Sequence, residues 1–321
     1  MKILNRAVRR MVSSGLVRQK TLKYDINCEG IALHSGLPVK MRLSAAAADS
    51  GIWFHRTDVD FVQADIPASY DHVVDTRLCT TIANEHGVKV STIEHLMAAL
   101  AGLEIDNAII ELDAEEVPIM DGSSAPFIAM IEKAGIVEQN LPRKAIRVLR
   151  TVSVRDGLKF LKVEPSEIPV VNLEINFECD RIGRQALSLP MTKDAFVEDI
   201  SDARTFGFLH EVEELRQMGL VRGGSLENAV VLSEGKVLNE EGLRHKDEFV
   251  RHKILDCIGD LYLAGAPVIG AVSGSCSGHA LNNALLRMLL ADETAWVWET
   301  VETKEIAGPA DWDVEPARVL A

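Results

Sequence analysis

A chain of 321 residues, 47% of them hydrophobic, has enough apolar side chain for two ordinary domains or one large one. Seven Lys or Arg and no acid fall in residues 1–24; with the whole chain at −14, the remainder carries −21, which argues against nucleic acid as a partner. No apolar run approaches the roughly 20 residues that span a bilayer, and Met1–Gln19 lacks the continuous apolar core of a secretory signal, so a cytoplasmic protein is expected.

Residues 1–19 read as a basic N-terminal extension, either a flexible tail or a weakly amphipathic segment that touches anionic lipid. Residues 20–139 read as a first α+β domain. Short β-type runs, TLKYDINCEGIALHSG, LPVKMRLSAA and IDNAIIELD, are separated by turn signals. STIEHLMAALAG reads as a helix capped by Ser91 and stopped by Gly102. Ser91 with Glu94 three residues later also fits a capping box, in which the glutamate would only satisfy a backbone N–H. PIMDGSSAPFIAMIEKAG follows as turn then helix, and EQNLPRK as a polar linker.

Residues 145–321 read as a second α+β domain, opening with the strands of IRVLRTVSVRDG, KFLKVEP and VVNLEINFEC. The halves look alike in organisation, without a sequence repeat. Residues 206–238 stand apart as an insertion of helix, glycine turn and small strand pair. Its stripe of Leu209, Val212, Leu215 and Met218 serves either packing or a ligand groove.

FVRHKILDCIGD, residues 249–260, reads as a helix with His252, Asp256 and Asp260 on one face and Val250, Ile254, Cys257, Ile258 and Leu261 on the other. The plain reading is a surface helix whose polar side is wet. Against it, Arg251, Lys253 and Lys246 form no regular i,i+4 ladder with these acids, and His with Asp one turn apart is a workable pair of metal ligands. His95 is the best third ligand, because a catalytic metal takes three protein ligands, an open position, and a nearby carboxylate to take the water's proton. Glu94 supplies that carboxylate. In SGSCSGHALNN, His279 is either an idle helix-start histidine or a general acid kept protonated and oriented by a carboxylate such as Asp260.

The HExxH, GxxxxGK(S/T) and GxSxG motifs are absent, which excludes the common zinc-peptidase, P-loop and serine-elbow arrangements. Cys28, Cys79, Cys179, Cys257 and Cys276 are odd in number and lack CxxC spacing, so reduced thiols are expected rather than a disulfide framework. Spacing does not say whether Cys79 adds a ligand for excess metal.

Several separated segments together resemble one family, the zinc-dependent UDP-3-O-acyl-N-acetylglucosamine deacetylases of lipid A biosynthesis. They are TLKYDINCEGIALHSG, STIEHLMAALAGLEIDNAIIE, PIMDGSSAPF, ARTFGF, GLRHKDEFVRHKILDCIGDLYLAG and SGHALNN, in the family's order from about Lys20 onward. The resemblance implies two similar sheet-and-helix sandwiches with the active site between them and a small β-α-β insertion in the second. It implies Zn2+, with Fe2+ as an alternative in the cell, on His95, His252 and Asp256. Glu94 would be the general base, His279 oriented by Asp260 the acid, and Thr205 a hydroxyl donor to the developing oxyanion. Lys253 would contact the polar part of the substrate, while Phe206, Leu209, Val212, Val221, Gly224, Ser225, Ala229 and Val231 would line a passage for the 3-O-acyl chain. The same resemblance implies a Gram-negative bacterium, and a cytoplasmic monomer is expected. Two other readings stay open: a zinc hydrolase of another N-acetyl sugar or small amide, and a non-catalytic binding module built on a structural metal.

Overall fold

A computed structural model describes residues 15–302. Met1–Ser14 of the basic extension, and with them its suggested lipid contact, lie outside the described residues, as do residues 303–321. The described residues contain six α-helices: α1 (Glu94–Gly102), α2 (Ala125–Ala134), α3 (Lys193–Asp199), α4 (Leu209–Gln217), α5 (Glu248–Tyr262) and α6 (His279–Ala291).

Two five-stranded sheets carry the fold, and they share one topology. The first orders its strands Ile26–Ile31, Pro38–Ala45, Ala108–Leu112, Ile52–Arg56 and Asp65–Pro67; the second orders Val152–Asp156, Lys159–Glu164, Ala271–Ser275, Val170–Asn176 and Arg184–Pro190. In each, the strand that comes last in the chain sits in the middle, parallel to one neighbour and antiparallel to the other. Each middle strand is preceded by a long helix, α1 or α5, and followed by another, α2 or α6. The architecture is α+β and duplicated, as two sheet-and-helix sandwiches should be.

Alternation turns these sequences into half-buried strands. In Pro38–Ala45, Val39, Met41 and Leu43 point into the core while Pro38, Lys40 and Arg42 face solvent. Val171, Leu173 and Ile175 do the same in the second sheet. The helices α1 and α5 behave differently: they pack on each other between the sheets and are buried on nearly every side. The wet-faced surface helix expected as the plain reading of residues 249–260 is therefore not what forms. Gly259 makes the close approach possible, since a Cβ there would fall 2.0 Å from the Glu94 carbonyl oxygen.

Three local expectations fail for identifiable reasons. Ser91 does not cap α1: it bridges to Glu116, its hydroxyl accepts from Thr81 Oγ1, and left-handed Thr92 (φ 56°) turns the chain before Ile93 opens the helix. EQNLPRK is no linker, because Ile136–Pro142 pairs antiparallel with Arg18–Leu22, which brings Gln19 into the packed body. The insertion begins with a strand, Phe206–Phe208, parallel to Val230–Ser233, and α4 joins them. Phe-Gly-Phe suits an aromatic strand better than a helix, since glycine disfavours helix and Phe206 packs edge-on against Phe177 and Phe249.

Candidate active site

Burying α1 and α5 against each other hides Glu94, His95, His252, Asp256 and Asp260, each under 5% exposed. Polar groups in such a seam are tolerable only when each finds a partner. Most do. His252 Nδ1 donates to the Ala203 carbonyl at 3.1 Å, which fixes the ring so that Nε2 points inward. That Nε2 lies 3.3 Å from Asp256 Oδ1, and His95 Nε2 lies 3.5 Å from the same oxygen. The two rings meet edge-on at 5.0 Å, and one ligand atom from each of His95, His252 and Asp256 falls within 4.8 Å of the others.

Asp256 Oδ1 is buried yet has no hydrogen-bond partner. An acceptor facing two inward imidazole nitrogens suits a divalent cation, and this donor set is one that zinc accepts while keeping a position open. Burial drives the His252 pKa down to about 3 against the pull of Asp256, so the ring stays neutral, as a ligand must be. Lys253 donates to Asp256 Oδ2 at 2.8 Å as a single i,i+3 pair rather than part of an i,i+4 ladder, and its ammonium sits 5.6 Å over the Phe206 ring.

Beside the cluster two titratable groups oppose each other. Glu94 Oε2 accepts from the Thr80 backbone N–H at 3.1 Å, and its Oε1 is 3.9 Å from His279 Nε2. The capping-box reading of Glu94 therefore falls, because the N–H it holds belongs to a separate loop. Burial raises the Glu94 pKa, opposed by His279 and His95. His279 opens α6 and donates through Nδ1 to Asp260 Oδ2 at 2.7 Å. Burial disfavours the imidazolium, but Asp260, with Glu94 and Asp256, outweighs it and lifts the pKa to about 9. Asp260 also accepts from Asn282 Nδ2 at 2.8 Å and from the Thr80 hydroxyl at 2.5 Å.

The insertion builds an apolar cleft next to this centre, with a volume of about 380 Å³. Phe206, Leu209, Val212, Val221, Gly224, Ser225, Ala229 and Val231 all line it, with Thr205 at the same wall, and Phe206 also touches the His252 ring at 6.1 Å between centroids. The cleft thus opens beside the metal-ligand cluster. Thr205 is held by its backbone, donating to the Gly122 carbonyl and accepting from Val230 N–H, both at 2.8 Å.

Sequence reasoning missed Thr80 and Asn282 on Asp260, the Ala203 carbonyl on His252, and Leu33 and Leu78 in the cleft. Asn282 stood in SGHALNN and carried a usable signal, three residues past His279 on one helix. The Thr80 and Ala203 contacts come from irregular segments and have no periodic signature. Cys79, adjacent to Thr80, is buried, and burial together with the Glu94 charge pushes its thiol up to about 12, so it stays protonated.

Comparison with known proteins points the same way. A family model described as LpxC, UDP-3-O-acyl N-acetylglycosamine deacetylase, matches residues 19–291. The UDP-3-O-acyl-N-acetylglucosamine deacetylase of Vibrio parahaemolyticus is 47% identical over 308 residues, 95% of this chain and 100% of its own length. That of Haemophilus influenzae is 49% identical, with the same 95% and 100% covered. That of Phenylobacterium zucineum is 51% identical over 278 residues, 87% of this chain and 95% of its own. A match of this extent makes the chain a member of the LpxC family of UDP-3-O-acyl N-acetylglycosamine deacetylases, and it is in this chain that His95, His252 and Asp256 cluster with Glu94 and His279 facing each other beside them.

Proposed function

We propose that this chain hydrolyses the N-acetyl group of UDP-3-O-acyl-N-acetylglucosamine, releasing acetate and the free amine at an early committed step of lipid A biosynthesis. The observation that carries this reading is the opposition of Glu94 and His279 across 3.9 Å beside the cluster. Their surroundings push them into different roles, one a carboxylate able to gain a proton and the other a cation able to lose one.

The family is one of metalloenzymes, and we assign the metal to His95, His252 and Asp256, with zinc as the ion that two imidazoles and one carboxylate favour. Fe2+ would accept the same ligands. Bound there, the ion supplies Lewis acidity that polarises the amide carbonyl and makes water a nucleophile near neutral pH. Glu94 takes the proton from the attacking water; its raised pKa matches that task. His279, held by Asp260 through Nδ1, presents Nε2 to the nitrogen that leaves and delivers its proton there, so the amine departs neutral. Thr205 donates its hydroxyl hydrogen to the oxygen that gains charge. Lys253 contacts the polar part of the substrate, and the cleft from Phe206 to Val231 takes the 3-O-acyl chain.

We assign the reaction to the cytoplasm of a Gram-negative cell. All five cysteines are free, as a reducing compartment keeps them, and no helix among the described residues is long and apolar enough to cross a membrane.

The test is acetate release from UDP-3-O-acyl-N-acetylglucosamine by metal-stripped protein, with and without one equivalent of zinc. Restored turnover with zinc is expected, together with a large loss when the substrate lacks its acyl chain. Full turnover on the deacylated sugar would favour the reading as a hydrolase of simpler N-acetyl sugars, and no turnover by folded, zinc-loaded protein would sink the substrate assignment.

A further inference from the structure

Thr80 belongs to none of the motifs, yet it reaches both halves of the acid–base machinery. It lies just before the short strand Thr81–Ala83 and is 1% exposed. Its backbone N–H donates to Glu94 Oε2 at 3.1 Å, its hydroxyl donates to Asp260 Oδ1 at 2.5 Å, and its carbonyl accepts from the N–H of Ile93, the residue that opens α1. We propose that Thr80 is a positioning residue that locks Glu94 of α1 and Asp260 of α5 in one register, so that Glu94 and His279 face each other across the reacting bond.

The case rests on how the acceptors of Asp260 are shared. Its Oδ2 is taken by His279 Nδ1 at 2.7 Å and Asn282 Nδ2 at 2.8 Å, which leaves Oδ1 for Thr80. A carboxylate held through only one oxygen can turn about its Cβ–Cγ bond and take its imidazole with it; one held through both cannot. Glu94 and Asp260 come from different halves of the fold, and two anions in one dry seam repel. Thr80 donates to both, through rigid backbone on one side and a short hydroxyl on the other. Because Thr80 is not among the residues that line the cleft, loss of its hydroxyl should leave substrate binding intact and act on turnover alone.

This inference rests on the roles assigned above to Glu94 and His279, and the experiment separates the two. Steady-state kinetics and zinc content would be measured on zinc-loaded Thr80→Val, Thr80→Ser, Asp260→Asn, Thr80→Val/Asp260→Asn and Glu94→Gln, with UDP-3-O-acyl-N-acetylglucosamine as substrate. Thr80→Val keeps the N–H and the branched shape but lacks the hydroxyl; its kcat should fall about 10- to 100-fold with KM within about twofold and one zinc retained. Thr80→Ser should return to within about threefold of the parent kcat. In the Asp260→Asn background, Thr80→Val should change kcat by less than about threefold, because the clamp then has no charged partner to hold. Thr80→Val with parent kcat, or an effect fully additive with Asp260→Asn, would overturn the proposal. If Thr80→Val does not fold, Thr80→Ala carries the same comparison. Parent activity in Glu94→Gln would instead overturn the underlying acid–base assignment, whatever the Thr80 variants do.

Discussion

The seam between α1 and α5 and the insertion at residues 206–238 adjoin each other and are built on opposite principles. In the seam, Glu94, His95, His252, Asp256 and Asp260 are buried, and backbone or side-chain hydrogen-bond partners outside the His95–His252–Asp256 cluster fix four of them. In the insertion, α4 buries none of its residues and offers Leu209, Val212 and Leu215 to a cleft with room to spare. Proton transfer needs atoms fixed before the reaction, because every reorganisation adds to the barrier. An acyl chain needs only apolar area and tolerates adjustment. Substitutions in the seam should therefore act in large steps on turnover, and those in the insertion in small, graded steps on binding.

Glu94→Gln tests the first half most severely. The amide keeps size and polarity but cannot take a proton, so kcat should fall about 10³-fold while the protein still binds one equivalent of metal. Turnover assays beside metal analysis would check it. A variant that keeps its activity would make Glu94 a structural group and remove the contrast with the insertion.

Asp260→Asn should have the next largest effect, about 10²-fold on kcat, and it carries a pH signature. His279 has an ordinary pKa of 6.5, raised here to about 9 because Asp260 outweighs the penalty of burial. A group with a raised pKa stays protonated until the pH climbs through that raised value, so the parent enzyme should lose activity on the alkaline side near pH 9. Without the Asp260 charge, burial acts with less opposition and the alkaline limb should move to lower pH. A limb that stays in place in a kcat–pH profile would assign it to another group.

How much of this was readable in the sequence follows from the range of the interactions. His252, Asp256 and Asp260 declared themselves through helix periodicity, which is local, and His95 with Glu94 through adjacency. The duplicated topology left no sequence repeat, because strand order is set by pairings between residues far apart, such as Met41 with Leu112 and Leu161 with Gly274. Thr80 and Ala203 act from irregular backbone, where no period marks which N–H or C=O will face the site. Ser91 was misread because a cap motif is a local preference that a bridge to Glu116 overrode.

Glycines sharpen the comparison at the level of stability. A Cβ at Gly259 would sit 2.0 Å from the Glu94 carbonyl oxygen and 3.0 Å from the Ala98 nitrogen, both backbone atoms that cannot step aside. Gly259→Ala must push α5 off α1 and should lower stability by about 1–3 kcal/mol in denaturant unfolding, with activity falling too as the seam widens. In the insertion, a Cβ at Gly207 would meet nothing closer than Val212 Cγ2 at 3.7 Å, an ordinary contact. Gly207→Ala should be close to neutral in the same measurement. Equal losses at the two positions would mean that the insertion is as tightly packed as the seam.

The smallest effects belong to the cleft, where the free energy comes in methylene-sized increments. If the acyl chain lies along Phe206, Val212, Ala229 and Val231, each methylene moved from water into that surface contributes about 0.8 kcal/mol, roughly fourfold in kcat/KM. A series of substrates differing only in acyl length should show that slope until the cleft is filled and then flatten. Ala229→Leu, by adding three carbons to the wall, should bring the flattening to a shorter chain while leaving zinc content unchanged. A slope in kcat/KM with Glu94→Gln showing the same dependence at its lower rate would mean that binding in the insertion and chemistry in the seam are additive. A slope that disappears in Glu94→Gln would mean instead that chain binding acts through the seam, helping to set the geometry in which Glu94 works.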